Sequence, residues 1–156
     1  MTIDSAATAH FPLPLRGEFL DHGRRLRLFE PFVFVDGERR IEVPALFETD
    51  FHSVPRVLWW WMPPWEFPFA AVIHDWLYQH PGDLPRQECD VIHRRILELE
   101  EMRESKRNAA YVGVRIGGRG AWNRYRHLEQ KAKEQEALLT AAPNVRTRPK
   151  VGKDVS

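Results

Sequence analysis

Hydrophobic and polar positions change period once along this chain. From about Arg24 to Thr49 they alternate, as in half-buried strands. The runs "RLRLFEPFVFV" and "RRIEVPALFE" flank Asp36-Gly37, a step that signals a hairpin, and Pro31 and Pro44 cut the runs into short or edge strands. From Ser53 the pattern turns helical. Ser53 reads as an N-cap with Pro55 in the first turn, and Pro63-Pro64 stops this helix. A second helix is predicted from about Pro68 to Gln79, with Ala70, Ala71, Ile73 and Leu77 on its buried face and Pro81-Gly82 ending it. A third should run from about Pro85 to Met102 on a stripe of Cys89, Ile92, Ile96 and Leu99. A fourth, "SKRNAAYVGVRIGGRGAWNRY", carries glycines that weaken it but let a neighbour approach closely, and a polar helix, "HLEQKAKEQEALL", follows. Residues 1–15 read as a flexible arm and 141–156 as a disordered tail. The expected architecture is a single α+β domain over 16–140. In it, a small N-terminal antiparallel sheet or hairpin precedes a mainly helical body.

Composition narrows the classes without choosing one. A chain of 156 residues is long enough for one domain with a real core. A formal net charge of +1 gives no strong pull toward nucleic acid or an anionic membrane, so a nucleic-acid partner is not expected. The single cysteine, Cys89, excludes an intrachain disulfide and a thiolate metal cluster. No basic-then-apolar leader is evident at the start, and no run reaches the roughly 20 apolar residues of a membrane span. No P-loop, dinucleotide fingerprint, nucleophile elbow or HExxH motif is present.

The candidate chemistry lies in "AAVIHDWLYQH", where an apolar helix carries His74 and Asp75 side by side and Tyr78 one turn on. The short connection to the next helix makes the two an antiparallel hairpin. His74 lies about six residues before the turn and Asp90 about five after its start, so at roughly 1.5 Å per residue they reach similar height. Asp90 and His93 share a face, which gathers His74, Asp75, Tyr78, Asp90 and His93 into one volume. Two readings follow. In one, a carboxylate fixes the tautomer of His74 and leaves its other nitrogen free to take a proton from water, while Asp75 holds a hard cation. In the other, His74, Tyr78 and Asp90 are a satisfied buried network that fixes helix register. Taken alone, His80 and His93 read as exposed or capping residues.

The run His-Asp-x-x-Tyr, followed by Asp on the next helix, resembles the core of the secreted and parvoviral phospholipases A2. That resemblance implies His74 as base, Asp75 as the calcium-binding carboxylate, Tyr78 as the supporting phenol and Asp90 as the group orienting the histidine. A broader stretch, "FETDFHSVPRVLWWWMPP", "AAVIHDWLYQ" and "RQECDVIHRRIL", is similar to a family of small bacteriophage and prophage proteins catalogued as domain of unknown function 1353. Its pattern falls on Thr49, Asp50, Ser53, Pro55, Arg56, His74, Asp75, Tyr78, Arg86 and Asp90, over roughly residues 45 to 122.

Two further features bear on binding. Asp50 and Arg56, with Ser53, either join the site as a second carboxylate and an anion clamp, or close the strand-to-helix turn by a cap and an ion pair. The segment "WWWMPPW" holds four of the six tryptophans, and Trp60 and Trp65 are the candidates for an aromatic patch that docks on lipid, sugar or protein; core packing is the alternative. Together these give a small phage-encoded, metal-assisted hydrolase, with His74-activated water acting on an ester. A lipid ester is the first substrate to test and calcium the first cation. The alternative is a non-catalytic virion structural or assembly protein, whose partners are other phage structural proteins. Either would be made in the host cytoplasm, with the virion as a further destination.

Overall fold

Alternation in the first third of the chain produces five short strands in the computed structural model, which describes residues 9–50 and 66–141. They are β1 (Gly17–Leu20), β2 (Arg25–Leu28), β3 (Phe32–Asp36), β4 (Arg39–Val43) and β5 (Glu48–Thr49). Pro31, which has no N–H to give, separates β2 from β3, and the two halves of the first run join different antiparallel sheets. One has the order β1-β2-β5 and the other is the β3-β4 hairpin. The hairpin pairs Asp36 with Arg39 across the turn Gly37-Glu38. Gly37 sits at φ +62°, the left-handed value that a tight hairpin asks of its first central residue. Strand β1 was not anticipated. It lies so close to β2 that a Cβ on Gly17 would stand 2.4 Å from the Arg27 carbonyl oxygen.

The expected arm is anchored where it is described. His10 exchanges two backbone hydrogen bonds with Val35, at 2.9 and 3.0 Å, and the Phe11 ring stacks on Phe32. Phe11, Phe32, Phe34 and Phe69 form an aromatic cluster between hairpin and helices, at ring separations of 4.8–5.4 Å.

Three helices follow in the described chain: α1 (Pro68–Gln79), α2 (Arg86–Leu99) and α3 (Glu104–Ala141). Helix α1 packs against α2 and α3 and touches β4 and β5, so it is buried on most of its surface. Helix α2 stops three residues before the expected Met102, for a local reason. Glu101 takes a left-handed φ of +59°, its N–H bonds the Glu98 carbonyl, and the Met102 N–H reaches back to Leu97 at 2.9 Å. This is a Schellman closure, with Leu97 and Met102 both buried under it. The fourth helix and the polar helix expected after it are one continuous element, since nothing at Arg126 breaks the backbone ladder.

The helix expected at Ser53, the tryptophan segment, residues 1–8 of the arm and residues 142–156 of the tail lie outside the described residues. The α+β reading stands: small antiparallel sheets come first, then a helical body built on the α1-α2 hairpin.

Candidate functional site

Helix α1 places the site because both of its ends are held by side chains from elsewhere. Its N-terminal amides at Phe69 and Ala70 donate to the two oxygens of Glu100, at 3.1 and 2.9 Å. Its last carbonyls, of Tyr78 and Gln79, each accept from Arg126 at 3.0 Å. An acid at the positive end and a guanidinium at the negative end also complement the helix dipole.

Between these ends the hairpin register brings His74 opposite Asp90. The Nε2 atom of His74 lies 2.9 Å from Oδ1 of Asp90, and the Tyr78 hydroxyl donates to the same oxygen at 2.6 Å. The other oxygen, Oδ2, accepts from Arg115 of α3 at 2.8 Å, and Arg86 stands 3.8 Å from it. Arg86 is itself fixed by donating through both terminal nitrogens to the Arg115 carbonyl at 3.1 Å. All three described helices therefore meet at one carboxylate.

His74, Tyr78 and Asp90 are fully buried. Burial alone would raise the Asp90 carboxyl, but hydrogen bonds from His74, Tyr78 and Arg115 outweigh it and hold the group at about 2. An ionised carboxylate only accepts, so His74 Nε2 carries the hydrogen of their shared bond. In the neutral imidazole this leaves the lone pair on Nδ1, which is buried and without a hydrogen-bond partner among the described residues. Burial, then the bond and charge of Asp90, push the Tyr78 phenol far above its usual range.

His93, expected at the surface or at a helix end, is instead buried, its ring centroid 4.6 Å from that of His74. It lies one turn beyond Asp90, on the face of α2 that packs inward. Burial foremost, with the neighbouring His74, pushes it well below the ordinary imidazole range and keeps it neutral.

Asp75 points elsewhere. It is almost fully buried and accepts the hydroxyl hydrogen of Thr49, which ties α1 to β5. The Tyr125 phenol is raised by burial and then by the charges of Asp75 and Asp50, which puts those two carboxylates in its neighbourhood. Among the described residues no group of three His, Cys, Asp or Glu side chains converges as a cation would require. Of the other sequence candidates, Ser53, Arg56, Trp60 and Trp65 lie outside the described residues.

Sequence reasoning missed Arg115, Arg126, Glu100 and the specific role of Gly118. A Cβ at Gly118 would stand 2.4 Å from the Tyr78 hydroxyl oxygen, so this glycine lets α3 lie against the phenol that serves Asp90. Only the Arg86-Asp90 pair, four apart on one helix, carried a local signal.

The comparisons with known proteins bear on this same stretch. A family model described as "Protein of unknown function (DUF1353)" matches residues 26–114, from β2 into the first third of α3. No curated protein and no solved structure matches the chain. The matched region starts earlier and ends earlier than the sequence motifs implied, taking in the hairpin and stopping one residue short of Arg115. It covers more than half of the chain and contains His74, Asp75, Tyr78, Arg86 and Asp90, and the chain accordingly belongs to the DUF1353 family.

Proposed function

We propose that this protein is a small hydrolase of phage or prophage origin that cleaves an ester, with a lipid ester as its substrate class. One observation carries the reading: Asp90 engages Nε2 of His74, while Nδ1 keeps a lone pair that no described group uses. An imidazole held in that tautomer is an oriented general base. His74 is closed to solvent in this structure, so the step requires the packing around it to part and admit water and ester; Nδ1 then takes a proton from water as the oxygen adds to the ester carbonyl carbon. The carbon–oxygen bond to the leaving alcohol then breaks, and the alcohol oxygen takes the proton back from Nδ1–H. Asp90, held by Tyr78 and Arg115, stabilises the imidazolium in between.

The phospholipase resemblance would place calcium on Asp75. The described donors around it do not make a cation site, since its carboxylate accepts from Thr49 and no trio of ligands converges among the described residues.

A second reading has its own observation. Asp90 is saturated by donors from three helices and His74 is fully buried, as in a network whose task is to fix register. On that reading the protein is a non-catalytic virion or assembly component.

His74→Gln separates the two, because glutamine keeps a donor for Asp90 but cycles no proton near neutral pH. Fatty-acid release from phospholipid vesicles by the folded variant should fall at least about 100-fold relative to wild type. Phage carrying His74→Gln and growing normally would favour the assembly reading. Calcium titration in a thermal melt tests the cation: a rise in Tm by mass action restores it, and none removes it.

A further inference from the structure

Helix α3 outruns the body of the protein. Up to Trp122 and Tyr125 its inner face packs on the core, but from Gln130 to Thr140 every residue is exposed. The apolar stripe does not stop where the body does. Tyr125, Leu128, Ala132, Gln135 and Leu139 continue it at alternating spacings of three and four, the period of a coiled-coil seam. Leu128 is 55% and Leu139 72% exposed, a costly arrangement for two leucines on one stripe. Tyr125, Leu128 and Ala132 also floor an open groove of about 620 Å³, whose far wall is His80, Pro81 and Gly82 at the end of α1.

Charge decides the occupant. With Tyr125, Ala132 and Leu139 as the first core position of each heptad, the flanks are not mixed. Arg124 and Lys131 fall on one side, and Glu129 and Glu136 on the other. In a parallel pair of identical helices, each basic flank meets the acidic flank of its partner one heptad on. Arg124 then faces Glu129 of the second copy and Lys131 faces Glu136. In an antiparallel pair basic would meet basic and acidic would meet acidic, which is unfavourable. Glu129 is already bonded to Arg126 and Lys133 on its own helix, at 2.6 and 2.8 Å; the Arg126 bond is part-buried and takes Oε2, while the Lys133 pair on Oε1 is solvent-exposed and gives way at little cost, freeing that oxygen. Gln135 is the one polar residue in the seam, where a buried amide favours a single register.

We propose that the exposed half of α3, from Leu128 to Leu139, pairs with the same segment of a second copy of this chain as a parallel two-stranded coiled coil. The inference is independent of the chemistry at His74.

Sedimentation equilibrium of the full chain should give twice the 18.4 kDa chain mass, and Leu128→Glu or Leu139→Glu should return it to one. Both positions are exposed in the single chain, so unchanged circular dichroism will show that the fold survives. Lys131→Glu should weaken the dimer, and adding Glu136→Lys should restore it, because the pair is swapped rather than lost. Gln135→Cys should crosslink on mild oxidation, since like positions face each other only in the parallel arrangement, and the buried Cys89 will not compete. A monomer at all concentrations overturns the proposal. So does a dimer indifferent to Leu128→Glu and Leu139→Glu, or one whose Gln135→Cys form does not crosslink: the first points to another surface, the second to an antiparallel pair.

Discussion

Asp90 and Gly118 show how much rests on single positions here. Asp90 is held at about 2 against an ordinary value of 3.8, so its folded form binds a proton less readily than its unfolded form. Its contribution to stability is therefore complete above about 3.8 and is lost as pH falls through about 2. Asp90→Asn should cost about 1–3 kcal/mol at neutral pH, because it weakens the hydrogen bonds that His74, Tyr78 and Arg115 make to a buried ionised acceptor. It should also flatten the acid limb of a Tm-against-pH curve between 4 and 2 on the wild-type scale. At Gly118→Ala the added volume outweighs the gain in helix propensity. The added methyl meets the Tyr78 hydroxyl and forces α3 or the phenol aside, with an expected loss of about 1–3 kcal/mol in urea denaturation. At Gly120, where a Cβ would meet nothing within 4 Å, the same substitution should be neutral or mildly stabilising, which makes it the control.

At the scale of elements, α1 depends on caps supplied from 31 and about 48 residues away. Burial pushes the Glu100 carboxyl up to about 7, against the lowering effect of the Ala70 and Phe69 amides. A folded value above the unfolded 4.5 means that its linked stability is fully present below about 4.5 and is lost as pH rises through about 7. Glu100→Gln keeps an acceptor oxygen for one of the two amides, loses the bond to the other, and removes the titration. Its melting temperature should vary less than that of wild type across that window, and Glu100→Ala should cost about 1 kcal/mol as a lost cap. Such caps explain what the sequence could and could not disclose. The α1-α2 hairpin was readable because its loop is short, and loop length fixes register closely enough to set His74 opposite Asp90. The partner of α1 at its N-terminus was not, because a side chain that caps across the fold leaves no local period. Strand β1 escaped for a similar reason: four residues pair with β2 through a glycine fit that alternation does not encode.

For the whole molecule, the division into small sheets and a helical body was readable from the change of period, and so was the meeting of His74, Tyr78 and Asp90, whereas Asp75, expected among them, turns to Thr49. What was not readable was the third side of that cluster. Arg115 reaches Asp90 because α3 crosses the hairpin at Gly118, and the angle of that crossing is a property of packed surfaces rather than of any one segment. That crossing has a mechanical side. At 1.5 Å per residue the 38 residues of α3 form a rod of roughly 57 Å, with Gly118 nearer its start than its end. Its last third stands free of the body, while Gly118 bears on Tyr78 and Arg126 is tied to the end of α1. A rod pinned at two points and free at one end is a lever. Load applied near Leu139 would meet the Arg126 tie first and the Gly118 contact with Tyr78 next, the phenol there being the one bonded to Asp90.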